Sequence, residues 1–271
     1  LCISPGQTGM DATLGYGGHS LEILKRLQPN GRLFATDVDP FELPKTEQRL
    51  RSLGFGEDML FVRKMNFSHI DAIVAESGPL DFVLADLGVS SMQIDNPHRG
   101  FSFKVEGPLD LRLNPKSGIP ASELLSTISQ KTLETILILN SDEPYAQPIA
   151  ETISTRVMGG ISIETTTQLK ELVEEALQFI PKQQRRDEVK KSCQRVFQAL
   201  RIEVNDEFEV LDTFLEKLPD ALASGGRVAI LSFHSGEDRR VKKSFQQLFR
   251  EGVYSEVASG PVRPSAQECN T

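Results

Sequence analysis

Short apolar runs alternate with amphipathic stretches over the first 90 residues of the chain. The run Leu80–Leu87 is almost continuously apolar, as is typical of a parallel strand buried on both faces. In contrast, Leu21, Leu24 and Leu27 recur at the spacing of one helix face. This alternation predicts an α/β fold with a parallel sheet. Strands are predicted at 8–13, 32–39, 60–67 and 80–87, and helices at 18–27, 40–53 and 68–77, the last capped by Ser68.

The alternation stops after Leu87, where residues 88–120 are rich in Gly, Ser, Asp and Pro. Helical patterns then follow one another without an intervening strand, which indicates an insertion into the sheet domain. The helix at 168–180 is the clearest, with Thr167 as its predicted N-cap and Pro181 as its stop. The other predicted helices of this part cover 121–128, 131–139 and 145–157.

The last third of the chain returns to the sheet. Apolar residues keep a spacing of three or four from 195 to 218, which predicts one long helix. A fifth strand at 227–233 and a helix at 237–249 follow. We therefore expect a sheet domain formed by residues 1–102 and 193–271, and an inserted helical domain formed by residues 103–192.

The composition is ordinary for a globular protein, with 39% hydrophobic and 25% charged residues. No apolar run approaches the length of about 18 residues that a membrane helix needs. The three cysteines form no Cys-x-x-Cys pair, so we expect a reducing compartment and neither a metal site nor a disulfide framework. The chain begins at Leu1 rather than Met and shows no signal peptide, and we expect a fragment or a processed form.

A net charge of −8 does not indicate a nucleic-acid-binding protein, but the charge is unevenly distributed. Six basic and two acidic residues lie between Lys182 and Arg195, which gives this stretch a charge of +4. A second basic group lies between Arg239 and Arg250. Both groups are compatible with solvated helix faces and with an RNA-binding surface.

A glycine-rich turn joins the first predicted strand to the first predicted helix, in the sequence Asp11-Ala-Thr-Leu-Gly-Tyr-Gly-Gly-His-Ser. Glycines at such a turn let the backbone approach a nucleotide-like cofactor closely. A dinucleotide motif requires a third glycine, and Ser20 occupies that position. Asp37 ends the second strand 22 residues after Gly15 and fits the ribose of a methyl donor or of NAD. A methyl donor, a dinucleotide and a purely structural turn all stay open on this evidence.

Asp86 ends the fourth predicted strand and is followed by small and polar residues. Open parallel sheets bind their ligands at the carboxyl ends of the strands. An acid at this place suits a site where a cationic sulfonium meets a nucleophile, whereas the alternative is an ordinary turn or N-cap acid.

Six blocks of sequence lie in one order along the chain. They are Asp11-Ala-Thr-Leu-Gly-Tyr-Gly-Gly-His-Ser, Ala85-Asp-Leu-Gly-Val-Ser-Ser-Met-Gln-Ile-Asp, Arg99-Gly-Phe-Ser-Phe, Gly107-Pro-Leu-Asp-Leu-Arg-Leu-Asn, Phe197-Gln-Ala-Leu-Arg-Ile-Glu-Val-Asn-Asp-Glu and Ser232-Phe-His-Ser-Gly-Glu-Asp-Arg-Arg-Val-Lys-Lys. Together they resemble the MraW/RsmH family. This family consists of S-adenosylmethionine-dependent methyltransferases that modify the exocyclic N4 of a cytidine in the decoding region of small-subunit ribosomal RNA. Residues 140–145 and 190–195 look most like plastid members, which implies the chloroplast stroma, with the bacterial cytoplasm as the alternative.

The resemblance implies a class I methyltransferase fold, which is Rossmann-like, with an inserted small helical domain that helps to cover the RNA. It implies S-adenosylmethionine as the cofactor and small-subunit ribosomal RNA, or the small ribosomal subunit, as the partner; the oligomeric state is left open. Family members usually have a helix before the first strand and a further strand after the last block, so we expect both ends to be shortened. The implied donor-binding residues are Gly17, Gly18 and His19 for the amino-acid end, Asp37 for the ribose, Phe67 for the adenine, and Asp86 and Gln93 to complete the pocket.

Methylation of a cytosine amine needs a group that accepts the amine hydrogen, because the nitrogen lone pair is delocalised into the ring. Carbon methylation would need a covalent cysteine instead, and no cysteine lies near a predicted strand end. Many amino methyltransferases carry Asp/Asn-Pro-Pro-Tyr/Phe after the fourth strand, whereas this chain has Asp86-Leu-Gly-Val. The candidate acceptors are therefore Asp110 and His234. Asp110 could instead pair with Arg112 or Arg99, and His234 could be a hydrogen-bonded structural residue.

RNA binding is expected to use the basic groups and a single-stranded or flipped-out target base, because duplex RNA hides its cytosine edges. Two alternatives to a methyltransferase stay open: a non-catalytic ribosome-assembly factor with the same fold, and an NAD-dependent oxidoreductase. The expected RNA contacts are Arg99, Arg112, Arg185, Arg186, Lys190 and Lys191.

Overall fold

The protein is built on a parallel sheet of five strands, seen in a computed structural model that describes residues 1–263. The strands are β1 (Thr8–Asp11), β2 (Arg32–Asp37), β3 (Leu60–Lys64), β4 (Leu80–Asp86) and β5 (Leu222–Leu231). Their order in the sheet is β3-β2-β1-β4-β5, and every neighbouring pair is parallel. The predicted α/β class with a parallel sheet is therefore confirmed.

Helices connect the strands and cover both faces of the sheet. The α-helices among the first four strands are α1 (Gly18–Leu27), α2 (Glu42–Ser52) and α3 (Ile70–Ser77). A longer helical segment separates β4 from β5 and contains α4 (Ser91–Asp95), α5 (Ala121–Thr127), α6 (Gln130–Ser141), α7 (Ala146–Met158), α8 (Thr166–Ala176), α9 (Lys182–Val204) and α10 (Glu207–Ala221). Helix α11 (Ser235–Arg250) follows β5, and short 3-10 helices lie at Phe67–His69 and Pro97–Arg99.

Strand β4 shows why the sheet is buried on both faces. Successive side chains of a strand point to opposite faces. Phe82 and Leu84 accordingly pack in the core that contains α1 and α2, while Val83 and Ala85 pack in the core that contains α3 and α10. This explains the continuous apolar run in the sequence and fixes Asp86 at the carboxyl edge of the sheet.

The helices between β4 and β5 build a hydrophobic core of their own. Leu133 of α6, Ile149 of α7, Leu169 of α8 and Leu200 of α9 are buried together in it. Helix α9 contributes to this core from Val189 onwards, on both sides of the second predicted domain boundary. The boundaries of the helical domain stay a prediction.

The single helix predicted from 195 to 218 is wrong, because α9 and α10 are separate helices that meet at Asn205 and Asp206. Asp206 has a φ angle of 51°, in the left-handed region, which interrupts the helical path. The apolar spacing of three or four residues continues across the break. Hydrophobic periodicity alone therefore could not reveal it.

Two predicted caps are also wrong. Thr165, not Thr167, caps α8 and forms a capping box with Gln168. Asn66, not Ser68, provides the second cap, and it caps a 3-10 helix that precedes α3. In both cases the N-cap is the residue two positions before the predicted one. This residue has an extended backbone, which the residue type alone does not specify.

Strand β5 begins earlier than predicted, at Leu222 instead of 227. Leu222 pairs with Leu80, and the register then shifts before Arg227 pairs with Phe82. Gly225 lies within the shift with a φ angle of 78°, so the two glycines that suggest a turn form an irregularity inside the strand.

Cys193 is buried in the helical core, and burial raises the pKa of its thiol to about 12, as suits a packed residue. Cys269 lies outside the described residues. Within residues 1–263, none of the helices is both long and apolar enough to cross a membrane.

Candidate active site

A cavity of about 440 Å³ opens at the carboxyl edge of the sheet, which is within the usual range for small-molecule sites. It lies where β1 and β4 are neighbours, which is the point at which the strand order reverses along the sheet. Open parallel sheets bind their ligands at such a point. The cavity brings together all seven residues expected to bind a methyl donor: Gly17, Gly18, His19, Asp37, Phe67, Asp86 and Gln93.

The glycine-rich turn between β1 and α1 forms one wall of the cavity. Gly17 has a φ angle of 74°, and a Cβ atom on it would lie 2.8 Å from Thr46 Cγ2. The Gly15 amide donates to Asp37 Oδ2 at 2.8 Å, and Thr46 Oγ1 donates to the Gly15 carbonyl at 2.7 Å. Among residues 1–263 no side chain caps α1, so its first amides are available to an anionic group of a ligand.

Asp11 supports this turn from below. It is buried, and it accepts hydrogen bonds from Ser20 Oγ at 2.6 Å and from the Thr13 amide at 3.1 Å. Burial raises the pKa of Asp11 to about 6, against the lowering effect of these hydrogen bonds. The sequence marks Asp11 as the start of the motif, and the structure shows that it holds the turn together.

Asp37 ends β2 with both carboxylate oxygens engaged. It accepts from the amide of Gly15 at 2.8 Å and from the amide of Asp39 at 2.8 Å. Burial raises the pKa of Asp37, and these two amide bonds oppose the shift. Each oxygen keeps a second lone pair, so the carboxylate can still accept a bond from a sugar hydroxyl.

Arg99 is buried and ties a loop to the end of β2. Its Nη1 donates to Asp39 Oδ2 at 2.5 Å, and its Nη2 donates to the carbonyls of Arg112 at 3.0 Å and Leu113 at 2.8 Å. Gln93 Nε2 donates to the same Asp39 oxygen at 2.9 Å. Although burial raises the pKa of Asp39, the bonds from Arg99 and Gln93 hold it below its usual value. The structure thus places Arg99 in the interior, whereas the sequence suggests a phosphate contact.

Asp86 differs from the other acids of the cavity because neither of its carboxylate oxygens accepts a hydrogen bond from the described residues. Oδ1 is buried without a partner, and Oδ2 lies 3.4 Å from His19 Nδ1. Burial raises the pKa of Asp86, with a smaller raising effect from Glu237 and a lowering effect from His19. About a third of the side chain and half of the His19 side chain are exposed.

His234 lies at the N-terminus of α11 and does not line the cavity. Its Nδ1 accepts from the Glu237 amide at 3.4 Å, and its Nε2 lies 3.2 Å from Glu237 Oε1. Glu237 does line the cavity, and its Oε2 accepts from the Phe233 amide at 2.9 Å. Although burial raises the pKa of Glu237, its contacts with His234 and with this amide hold it below its usual value.

Asp110 also lies outside the cavity lining. Both of its oxygens bind Arg112, with Nε at 2.7 Å from Oδ1 and Nη2 at 2.8 Å from Oδ2. The remaining Arg112 nitrogen, Nη1, donates to the Gly118 carbonyl at 2.9 Å. The sequence names this pair as the alternative to a catalytic Asp110, and the structure shows the pair.

Asn205 is a cavity residue that the sequence reasoning missed. Its Oδ1 accepts from the Leu113 amide at 2.7 Å, and its Nδ2 donates to the Leu111 carbonyl at 2.8 Å. Leu111 has a φ angle of 63°, a strained conformation for leucine that these bonds help to hold. The signal was available, because Asn205 and Glu237 each fall inside a block that carries the family resemblance.

Four of the expected RNA contacts lie on α9, and none of these four lines the cavity. Arg185 donates to the carbonyls of Gln178 and Ile180, and so it holds the residues between α8 and α9 in place. Lys191 pairs with Glu188 at 3.0 Å. The other two expected RNA contacts on this helix are Arg186 and Lys190. Both are exposed, and neither has an ion-pair partner within residues 1–263.

The cavity is strongly acidic. Asp37, Asp86, Glu207 and Glu237 line it, and within the described part of the chain its lining contains no lysine or arginine. Arg201 neutralises Glu207 through a bidentate pair at 2.7 and 2.8 Å. Such a lining favours a cationic ligand and opposes a pyrophosphate. Residues 1–263 contain no group of three His, Cys, Asp or Glu side chains placed to hold a metal ion.

The sequence matches the model of the MraW methylase family over residues 1–269. The chain belongs to the MraW methylase family. The "Ribosomal RNA small subunit methyltransferase H 2" of Alkaliphilus metalliredigens is 65% identical over 100% of this chain and 78% of its own length. The proteins of Lachnoclostridium phytofermentans and Agathobacter rectalis, both named "Ribosomal RNA small subunit methyltransferase H 1", are 59% and 57% identical, over 100% and 99% of this chain and 74% and 77% of their own lengths.

Membership of the MraW methylase family confirms the family predicted from the six sequence blocks, and the parallel sheet with flanking helices confirms the class I methyltransferase fold. The chain is therefore a methyltransferase. The predicted plastid membership and chloroplast location are not supported, because these relatives come from bacteria. Segments of six residues, such as residues 140–145, contain too few positions to distinguish plastid members from bacterial members.

Proposed function

We propose that the protein transfers a methyl group from S-adenosylmethionine to the exocyclic N4 of a cytidine in small-subunit ribosomal RNA. The observation that carries the proposal is the acidic cavity at the carboxyl edge of the sheet in a chain of the MraW methylase family. The names of the relatives support ribosomal RNA of the small subunit as the substrate. The bacterial cytoplasm is the corresponding location, because the relatives are bacterial and the substrate is ribosomal.

The residues of the cavity fit this methyl donor better than a nicotinamide dinucleotide. S-adenosylmethionine carries a sulfonium and an ammonium group against one carboxylate, so an acidic lining attracts it. The open N-terminus of α1 suits the single carboxylate, and Asp37 suits the ribose. A dinucleotide would instead bring a pyrophosphate into a cavity that is lined by Asp37, Asp86, Glu207 and Glu237.

The sulfonium group of the bound donor supplies an activated methyl group. The protein must then hold the cytosine amine in line with this methyl group and remove one amine proton as the new N–C bond forms. The carbon–sulfur bond of the donor breaks in the same step, and S-adenosylhomocysteine is the leaving group. We assign the proton acceptor to Asp86, in place of the earlier candidates Asp110 and His234. Asp110 is paired with Arg112 outside the cavity lining and His234 caps α11, whereas the Asp86 carboxylate has unused acceptor capacity inside the cavity.

The proton accepted at Asp86 Oδ2 has a path to solvent through His19. His19 Nδ1 lies 3.4 Å from that oxygen, and half of the His19 side chain is exposed. Asp110 and His234 have positioning roles in this proposal, Asp110 through the loop that carries Arg112 and His234 through Glu237. Arg186, Lys190 and Lys191 remain the proposed RNA contacts of α9.

Two measurements test the proposed function. In calorimetric titrations, the protein is expected to bind S-adenosylmethionine and not NAD; binding of NAD alone would favour the oxidoreductase. In mass spectrometry of small-subunit rRNA nucleosides, N4-methylcytidine is expected to fall when the gene is deleted and to return when it is restored. Donor binding with an unchanged level of N4-methylcytidine would indicate a non-catalytic assembly factor instead.

A further inference from the structure

Four aromatic side chains besides His19 line the cavity, and three of them already have partners. Phe67 packs edge-to-face against Phe214, with ring centroids 5.0 Å apart. The guanidinium of Arg49 lies over the Tyr16 ring, 3.8 Å from the ring centroid. The guanidinium of Arg240 lies 4.1 Å from the ring centroid of Phe208. The fourth ring, that of Phe233, has no aromatic or cationic partner within residues 1–263.

The side chain of Phe233 is exposed although its backbone is held firmly. It is 72% exposed, which makes it the most exposed aromatic ring of the described residues. Its amide is fixed by the buried carboxylate of Glu237 at 2.9 Å, in the first turn of α11. A large apolar surface at a fixed position on the rim of a cavity is typical of a ligand contact.

Phe233 lies on the Asp86 side of the cavity. Asp86 pairs with Leu231 in the sheet, and Phe233 follows two residues later at the same edge. Its Cδ2 atom lies 3.8 Å from the point where a Cβ atom would stand on Gly88, just after Asp86. Phe67, the ring expected at the adenine of the donor, follows β3 at the opposite end of the sheet order.

The loop after β4 supplies no aromatic ring of its own. Between Asp86 and Asp95 it contains only small, polar and aliphatic residues. The ring that follows Pro-Pro in many amino methyltransferases is therefore missing from this loop. Phe233 instead follows the neighbouring strand β5, and its ring lies near the positive-φ residue Gly88 of this loop.

We propose that Phe233 is the platform on which the target pyrimidine base stacks, so that its exocyclic amine meets Asp86. This inference rests on the proposed function and extends it to a residue that touches the RNA substrate. Stacking on one face of a flipped-out base costs no hydrogen bonds and fixes the plane of the ring. A fixed ring plane directs the amine towards the carboxylate, while the donor occupies the part of the cavity lined by the glycine turn and Asp37.

The chain contains no tryptophan, so a single introduced tryptophan reports on this position alone. In the variant Phe233→Trp, saturated with S-adenosylhomocysteine, emission is expected to be quenched by a single-stranded RNA oligonucleotide with one cytidine. The same oligonucleotide with an abasic site in place of that cytidine is expected to have little effect. The control is Phe249→Trp, an equally simple exchange of an exposed ring at the far end of α11. Equal responses to the two oligonucleotides would overturn the inference.

A second measurement compares Phe233→Leu with Phe233→Tyr on small subunits from cells that lack the gene. Leucine keeps an apolar side chain without a stacking ring, so kcat/KM is expected to fall about tenfold or more, whereas tyrosine retains most of it. The dissociation constant for S-adenosylmethionine is expected to change less than about twofold in both, because the ring serves the acceptor. Equal kcat/KM for leucine and wild type would overturn the inference and leave the proposed function intact. If the wild-type protein binds the donor and methylates no small subunits, the proposed function fails, and the stacking role with it.

Discussion

Asp86 keeps its carboxylate free inside a site where the neighbouring acids are engaged. Asp37 accepts two amide hydrogen bonds, Glu207 is paired with Arg201, and Glu237 contacts His234 and the Phe233 amide. Among the described residues, Asp86 has only the 3.4 Å contact with His19. Burial without such bonds raises the pKa of Asp86 and makes its carboxylate a stronger base. A more basic carboxylate is what removal of an amine proton requires.

The variant Asp86→Asn is expected to lower kcat by about a hundredfold or more, the effect of losing a positioned base. In the wild type, kcat should rise with pH as Asp86 loses its proton, and burial moves this rise above the usual range of an aspartate. The pH–rate profile measures both effects, and the rise should be absent in Asp86→Asn. The control is Asp110→Asn, which should keep the rise; a profile that depends on Asp110 instead would return the role to that residue.

His19 offers a second, independent test of the same pair. When His19 is protonated, its charge lowers the pKa of Asp86. In His19→Ala this effect is lost, so the pKa of Asp86 rises further and the acid limb of the kcat profile should move to higher pH. A limb that stays in place, or moves to lower pH, would show that the two side chains are not coupled.

Asp11 gives a prediction about stability rather than activity. The pKa of Asp11 is about 6 in the folded protein, whereas an unperturbed aspartate has a pKa of 3.8. Between these pH values the folded state therefore holds a proton that the unfolded state has lost. The stabilising effect of that proton is complete below pH 3.8 and is lost as the pH rises through about 6, by at most about 3 kcal/mol. Asp11→Asn should remove this loss. Urea unfolding between pH 4 and pH 8 measures the free energy of unfolding of both proteins. The prediction would be contradicted if the asparagine variant did not become more stable relative to the wild type as the pH rises.

At the scale of elements, the sequence was sufficient where one physical signal dominates. The apolar run of β4 and the glycine turn before α1 are specified by burial and by backbone conformation, and both were predicted close to where they lie. The seven residues that the family resemblance implies for the donor also line one cavity, because they lie at or after strand ends that meet at one edge, and their role as donor contacts stays a prediction. Their convergence rests on the sheet order, which places β1 beside β4.

The sequence was insufficient where a residue type allows two partners. Arg99 has the charge of a phosphate contact, and only the tertiary structure shows that Asp39 and two carbonyls surround it. Asn205 looks like an ordinary helical residue until the loop that it holds is seen. Such choices depend on contacts between segments that are far apart in the chain.

The break between α9 and α10 leads to a prediction at Asp206. This exposed residue has a φ angle of 51° and makes no side-chain cap bond. Asp206→Gly should be neutral or stabilise the protein by up to about 1 kcal/mol, since glycine adopts this conformation without strain. Asp206→Val should lower the free energy of unfolding by about 1–2 kcal/mol, because a β-branched residue resists a positive φ. Chemical denaturation measures the two variants, and equal stabilities would contradict the assignment of strain.

At the scale of the whole molecule, local charge and net charge have opposite signs. The protein carries −8 overall, while Lys242 and Lys243 lie on an exposed basic face of α11. Association with an RNA partner must then rely on these local patches, and the rest of the surface repels the phosphates.

Binding to small ribosomal subunits is therefore expected to weaken steeply with salt. The double variant Lys242→Glu/Lys243→Glu should reduce the slope of log Kd against log salt by roughly one to two units, since about two phosphate contacts are lost. Its control is Lys25→Glu/Lys45→Glu, which changes the net charge equally on exposed sites of α1 and α2. Equal slopes for the two double variants would show that the basic face of α11 does not contact the RNA.

The pairing of β4 with β5 has a consequence for the synthesis of the protein. Asp86 pairs with Leu231, so about 145 residues must be translated after β4 before its outer edge finds a partner. At 5–20 residues per second this interval lasts roughly 7–30 s. During that time the nascent chain exposes an unpaired strand edge and lacks Asn205, Phe233 and Glu237 from its cavity. Helices α5 to α9 can pack on one another meanwhile, so the catalytic half of the molecule matures last.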